Sequence, residues 1–257
     1  LPDAKNHGMI MLLDWSGSMA DVIKQTVDQL LNLIWFCQKI NIPYEVYLFT
    51  SEVFTTEKGD RSQRHDLIGG SWNYKHGDGI FENFNLINVA SHKMKKLQLD
   101  ESLMYLYHLG ISYENRYSRM RGDYREDIGD EMDCPPEFYL GTTPLNESLV
   151  VMNKLVPMFK KKYNIEKLTF ITLTDGSSNS NYYINSVVNT EEGLQQSKAD
   201  TGTPVIKVGK KQYSLGKSFY GNVTPLLLNV LKDQHGINTI GFYLAKRMRT
   251  WDMDRYI

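Results

Sequence analysis

Only two cysteines occur in the 257 residues, Cys37 and Cys134, so the fold is not a disulfide scaffold and no cluster of thiolates is available for a soft metal. Cys37 lies in the apolar run Leu33-Ile34-Trp35-Phe36-Cys37 and reads as a small buried hydrophobe. A single bridge to Cys134 stays open at this stage, but nothing in the spacing calls for one. Charge of one sign is also missing. The 29 basic and 30 acidic side chains leave a net charge of −1, so no global field recruits nucleic acid or an anionic membrane, whatever local patches exist. No apolar run approaches the roughly 20 residues that span a bilayer, and the N-terminus lacks the pattern of a secretory signal. The chain opens on Leu1-Pro2-Asp3 rather than Met, which reads as a trimmed or processed product or a segment of something longer. These absences together predict a cytoplasmic protein with neither nucleic acid nor membrane as partner.

What is present is ample apolar material, 41% of the chain, enough for the core of one large domain carrying a long insertion. Met9 to Leu13 is a continuous apolar run ending at Asp14, the pattern of a strand buried on both faces. After the small-residue turn Asp14-Trp15-Ser16-Gly17-Ser18, the apolar positions Ile23, Val27, Leu30, Ile34 and Cys37 follow at helical spacing up to Asn41-Ile42-Pro43. Tyr44 to Thr50 then reads as a second strand, completing a βαβ unit whose crossover is expected to be right-handed.

Residues 55–140 interrupt this rhythm and are read as an insertion decorating the sheet. One possible strand (Phe84 to Val89) and one helical pattern (Leu97 to Leu109) stand out within it. Regularity returns at Thr143-Pro144, an N-cap pair opening a helix with Leu145, Leu149, Met152, Val156 and Phe159 on one face, which Pro157 is expected to bend or end. Leu168 to Thr174 is the strongest strand in the chain and stops at Asp175-Gly176. A small hairpin around Gly209-Lys210 follows. Thr224-Pro225 is expected to open a helix running to His235-Gly236, and Thr239 to Leu244 is the last strand. This alternation predicts an α/β fold: a doubly wound, mostly parallel sheet with helices on both faces, forming a single domain over residues 1–257. In such sheets the functional crevice lies at the carboxyl ends of the strands, where Asp14 and Asp175 both fall.

Asp14, Ser16, Ser18, Thr143 and Asp175 are two carboxylates and three hydroxyls, all hard oxygen donors. Such a set suits Mg²⁺, or Mn²⁺ or Ca²⁺, and not a metal that wants thiolate or imidazole. Alternate positions in a tight turn aim three oxygens at one point, and Gly17 is expected to let the backbone close around it. Taken singly the pieces are ordinary. Ser16 or Ser18 would cap a helix, Thr143-Pro144 would do the same, and Asp175-Gly176 is a common turn. Three such elements in order, each at a strand or helix end, favour a joint site.

Asp14-Trp15-Ser16-Gly17-Ser18 resembles the DxSxS motif of the metal-ion-dependent adhesion site in von Willebrand factor A domains. Gly141-Thr142-Thr143-Pro144-Leu145 is similar to that family's threonine loop, and Thr174-Asp175-Gly176 to its third element. The resemblance covers roughly residues 8–54 and 141–247 and implies a Rossmann-like fold. It also implies that Ser16, Ser18 and Thr143 hold the ion directly while Asp14 and Asp175 act through water, with the open position taken by an acidic side chain of a partner. The style is nearest to the cobaltochelatase T-subunit-like members, including phage-encoded ones, that work beside MoxR-type AAA+ ATPases. That branch implies a cytoplasmic adaptor, in a phage-infected host for the phage-encoded members, that is not an enzyme by itself. Trp15 and the insertion's own sequence depart from a bacterial chelatase subunit.

Two other functions compete. A Mg²⁺-dependent phosphoester hydrolase would use the same oxygens, but no general base or nucleophile stands beside them, and Ser16 occupies the position where a phosphatase of the haloacid-dehalogenase type carries a second carboxylate. An extracellular adhesin is disfavoured by the scarce cysteines. Gly216-Lys217-Ser218 is not a phosphate loop, since Lys211 stands where its first glycine belongs. Arg121-Gly122-Asp123 reads as chance in a charged loop, and His65-Asp66 and His76-Gly77-Asp78 as solvated polar residues.

Overall fold

The computed structural model describes residues 6–51, 79–81, 84–120, 134–176, 178, 182–190, 193–198, 205–208, 210–214 and 223–244. The sequence signals at 65–66, 76–78, 121–123 and 216–218 lie outside these residues.

The chain has an α/β fold built on a five-stranded, mostly parallel sheet. Strand β1 (His7–Asp14) lies at its centre, paired in parallel with β2 (Tyr44–Thr50) on one side and β5 (Lys167–Thr174) on the other. Beyond β5 runs β10 (Asn238–Tyr243), also parallel. Beyond β2 runs β4 (Asn85–Ser91), the one antiparallel member, with a register shift opposite Val46 and Tyr47. Four helices cover the faces: α1 (Ile23–Lys39), α2 (Lys96–Met120), α3 (Leu145–Tyr163) and α4 (Val223–His235).

The strand pattern explains the layering. Along β1, Met11 and Leu13 join the core shared with α1 and α2, whereas Ile10 and Leu12 join that shared with α3 and α4. Both sets are almost fully buried, as expected for a central parallel strand covered twice. Each such Leu or Ile contributes about 1.5–3 kcal/mol of hydrophobic stabilisation. Packing is close where α3 meets the start of β1. A Cβ added at Gly8 would lie 2.7 Å from Phe159 Cε1 and 2.9 Å from Ile165 Cγ1. Gly8→Ala is therefore expected to lower stability by about 1–3 kcal/mol through overpacking, read as a reduced Tm.

The segment read as an insertion is partly structural. Residues 85–91 supply a sheet strand, and α2 is longer than the predicted 97–109, burying Leu99, Leu103, Leu106, Leu109 and Tyr113 against α1 and the sheet. The strand and the core of the helix are legible in the sequence; the run of α2 to Met120 is not, because its residues from Glu114 on are mostly polar. Pro157 does not end α3. The helix continues to Tyr163, and Asn164, in the left-handed region at φ 53°, terminates it after three lysines that suit its negative end. Thr224 does not cap α4, which already begins at Val223; its hydroxyl donates to Asn146 Oδ1 of α3 at 2.6 Å. Gly236, with φ 58°, follows the end of α4 as its position predicts.

The hairpin predicted near Gly209-Lys210 is present as β8 (Val205–Val208) and β9 (Lys211–Ser214). A second small sheet, not anticipated, pairs β3 (Gly79–Phe81), β6 (Tyr182–Thr190) and β7 (Gly193–Lys198). Both cysteines are free and buried, so the possible bridge is not formed. Among the described residues no helix is long and apolar enough to cross a membrane.

Candidate functional site

Strands β1 and β5 are neighbours and parallel, so the residues that end them emerge side by side. That register puts Asp14 beside the end of β5, where Thr174 Oγ1 donates to Asp14 Oδ2 at 2.6 Å. Beyond the strand end, Ser16 Oγ and Ser18 Oγ stand 3.1 Å apart, and Ser18 Oγ donates to Asp175 Oδ1 at 2.9 Å. Asp14, Ser16, Ser18 and Asp175 thus come together at the carboxyl edge of the sheet. Thr143 enters from the other side. Its loop is held to the serine loop by a parallel bridge between Ser16 and Gly141, in which Gly17 N donates to Gly141 O at 2.8 Å and Gly141 N to Trp15 O at 3.3 Å.

None of the three hydroxyls is engaged in capping a helix. Ser16 precedes a short 3₁₀ turn (Gly17–Asp21) and Pro144 precedes α3, and neither residue caps the helix with its own side chain. The capping readings of Ser16 and of Thr143-Pro144 are therefore set aside. Thr143 is 4% exposed, and its hydroxyl bonds no group among the described residues. Gly17 proves less constrained than expected. A Cβ there would meet only Gly141 O, at an ordinary 3.8 Å.

Asp14 is fully buried, and its Oδ1 has no hydrogen-bond partner among the described residues. Burial raises its pKa from 3.8 to about 7. The Thr174 and Ser16 hydroxyls pull the other way, and nearby Asp175 adds to the rise. Burial likewise raises the Asp175 carboxyl, against the hydrogen bond from Ser18. Burial makes the charged form of both carboxyls costlier, a cost that a bound cation would offset. No group of three or more His, Cys, Asp or Glu side chains gathers among the described residues, so any ion held here depends on the hydroxyls as well.

Three further residues support the site, of which the sequence motifs include only Thr174, as the first residue of the third element. Thr174 orients Asp14. Ser178 accepts from Asn146 N at 3.0 Å and donates to Thr143 O at 3.3 Å, tying the threonine loop to the Asp175 loop. Ser51 accepts from Thr142 N at 2.7 Å. Ser178 lies three residues from Asp175, the only signal that pointed to it. Trp15, which departs from what a bacterial chelatase subunit would carry, also has a structural role. Its indole is fully buried edge-on to Tyr113, and Nε1 donates to Phe138 O at 2.7 Å. Tyr113 Oη donates to the same carbonyl at 2.7 Å, so the serine loop is fastened to α2 and to the segment leading into Gly141. No protein-family model matches the chain, and no curated protein matches it either.

Proposed function

We propose that this chain is a divalent-cation-dependent protein-interaction module of the von Willebrand factor A type. Asp14, Ser16, Ser18, Thr143 and Asp175 would hold Mg²⁺, or Mn²⁺ or Ca²⁺. The donor set fits: every atom is a hard oxygen, and two carboxylates balance a divalent charge. The observation that carries the reading is Asp14 Oδ1, a buried carboxylate oxygen with no partner among the described residues, beside a hydrogen-bonded Ser16–Ser18–Asp175 chain. When bound, the ion would supply an electrophilic position for a carboxylate from outside. The chain's own residues do the rest. Thr174 fixes the Asp14 carboxylate, Ser18 orients Asp175, and the Ser16–Gly141 bridge sets the threonine loop against the serine loop. The partner would present an acidic side chain. The cobaltochelatase-like style of the motif makes a MoxR-type AAA+ ATPase the first candidate, with this chain as its cytoplasmic, non-catalytic adaptor.

Thermal unfolding in EDTA and in rising Mg²⁺ tests the ion. Stabilisation should grow with the logarithm of Mg²⁺ concentration above Kd, reaching about 2.7 kcal/mol at a hundredfold excess, and be absent in Asp14→Ala. A pull-down from native host lysate tests the partner. Wild type in Mg²⁺ should retain an AAA+ ATPase or another acidic-tipped protein that EDTA and Asp14→Ala release. Melting and retention indifferent to both would overturn the reading. Asp14-dependent turnover of a generic phosphate ester would replace it with a hydrolase.

A further inference from the structure

A groove of about 750 Å³ runs between α1 and α2 and includes none of the residues of the proposed cation site. Its floor is apolar, formed by Leu31 and Leu103, both nearly buried. Its sides are large and exposed: Trp35 is 54% exposed and Met104 59%. Asp28 and Asp100 supply two carboxylates, and no Lys, Arg or His lines the groove.

Lys24 shows what this combination does to a cation. Its ammonium lies 2.6 Å from Asp28 Oδ2 and 5.4 Å from the centroid of Tyr107, another lining residue. A carboxylate and an aromatic face together grip a charged amine. Asp100 and Trp35 bring the same two chemistries to the groove, a carboxylate and an aromatic ring, and no Lys or Arg is among its described lining residues. Asp100 is exposed and makes no salt bridge among the described residues. An exposed tryptophan and a free carboxylate above an apolar floor are complementary to a segment carrying Arg or Lys next to Leu-like side chains.

The geometry points to a second docking site: the α1–α2 groove binds a basic, amphipathic helical segment of a partner protein. Its apolar side chains would sit on Leu31 and Leu103, and an Arg or Lys would lie between Trp35 and Asp100. This does not rest on the cation site. The two would let one chain hold an acidic and a basic partner surface at once.

The test uses the full chain in EDTA, so that a divalent ion plays no part. The probes are a dye-labelled amphipathic helical peptide of Arg, Leu and Ala, and its counterpart with Glu at every Arg position. Fluorescence anisotropy should show saturable binding of the Arg peptide, weakened by salt, and none of the Glu peptide. Asp100→Asn and Trp35→Ala should each weaken binding by about tenfold or more. Both side chains are exposed, so circular dichroism and Tm of the variants should match wild type. Equal binding of the two peptides, no binding of the Arg peptide, or binding untouched by both variants would overturn the proposal. So would self-association in sedimentation that Trp35→Ala abolishes, which would identify the occupant as a second copy.

Discussion

Replacing Asp14 by Asn is expected to stabilise the metal-free protein at pH 8 and, in the same variant, to abolish stabilisation by Mg²⁺. The two effects have opposite signs because they concern opposite charge states of one carboxyl. Asp14 is fully buried, and its pKa stands at about 7 against 3.8 for an ordinary aspartate. The folded chain therefore keeps a proton that the unfolded chain releases. Stability from this group is fully present below about pH 4, is lost as pH rises toward 7, and stays lost above it. A shift of this size corresponds to about 4 kcal/mol at pH 8, which a neutral amide of the same shape largely avoids. Asn keeps the hydrogen bond from Thr174 but offers a cation no charge. Urea unfolding against pH in EDTA reads this directly: wild type should weaken between pH 5 and 8, and the variant should follow a flatter curve. Asp175, also raised by burial, leaves a smaller slope of the same sign. Parallel curves for the two proteins would show that Asp14 ionises without penalty, and the case for an unsatisfied carboxylate would fail.

Trp15→Ala is expected to cost about 3–5 kcal/mol, the range for deleting a fully buried aromatic side chain. The loss should exceed that of an average core position because the side chain joins two other parts of the chain. Its ring meets Tyr113 of α2, and its indole N–H bonds the Phe138 carbonyl just before the threonine loop. Trp15→Phe separates packing from polarity. It keeps an aromatic ring and drops the N–H, and because Tyr113 still satisfies the Phe138 carbonyl it should cost only about 1–2 kcal/mol. If Trp15→Ala unfolds within 1 kcal/mol of wild type, the serine loop does not depend on this contact. If it unfolds much earlier and also weakens Mg²⁺ stabilisation, the loop geometry and the cation site are coupled.

Legibility of this chain from its residues follows a physical divide. Local patterns survive without tertiary context. A continuous apolar run at 9–13 marks a strand covered on both faces, the spacing from Ile23 to Cys37 marks α1, and Gly236 marks the end of α4. These signals come from periodicity and backbone preference, which act within a few residues. The positions of Asp14 and Asp175 at a common sheet edge followed too, because parallel strands send their ends the same way.

Contacts between distant segments carried no such signature. The sequence by itself determined the α/β class, the central strands and the oxygen-rich residues at their ends, since hydrophobic period and turn chemistry are local. Only the tertiary structure decided that the strand at 85–91 pairs antiparallel with β2 and that α2 runs on to Met120, because edge-strand pairing and helix length are specified by what they pack against. It alone decided that Thr174 orients Asp14 across 160 residues of chain. It alone paired Ser91, Asn88, Lys162 and Tyr163 around the buried Glu45 carboxylate, which a sequence reading would leave in solvent. And it left one oxygen of Asp14 buried without a partner among the described residues. Burial and hydrogen-bond satisfaction are properties of the assembled core, and no residue carries them alone.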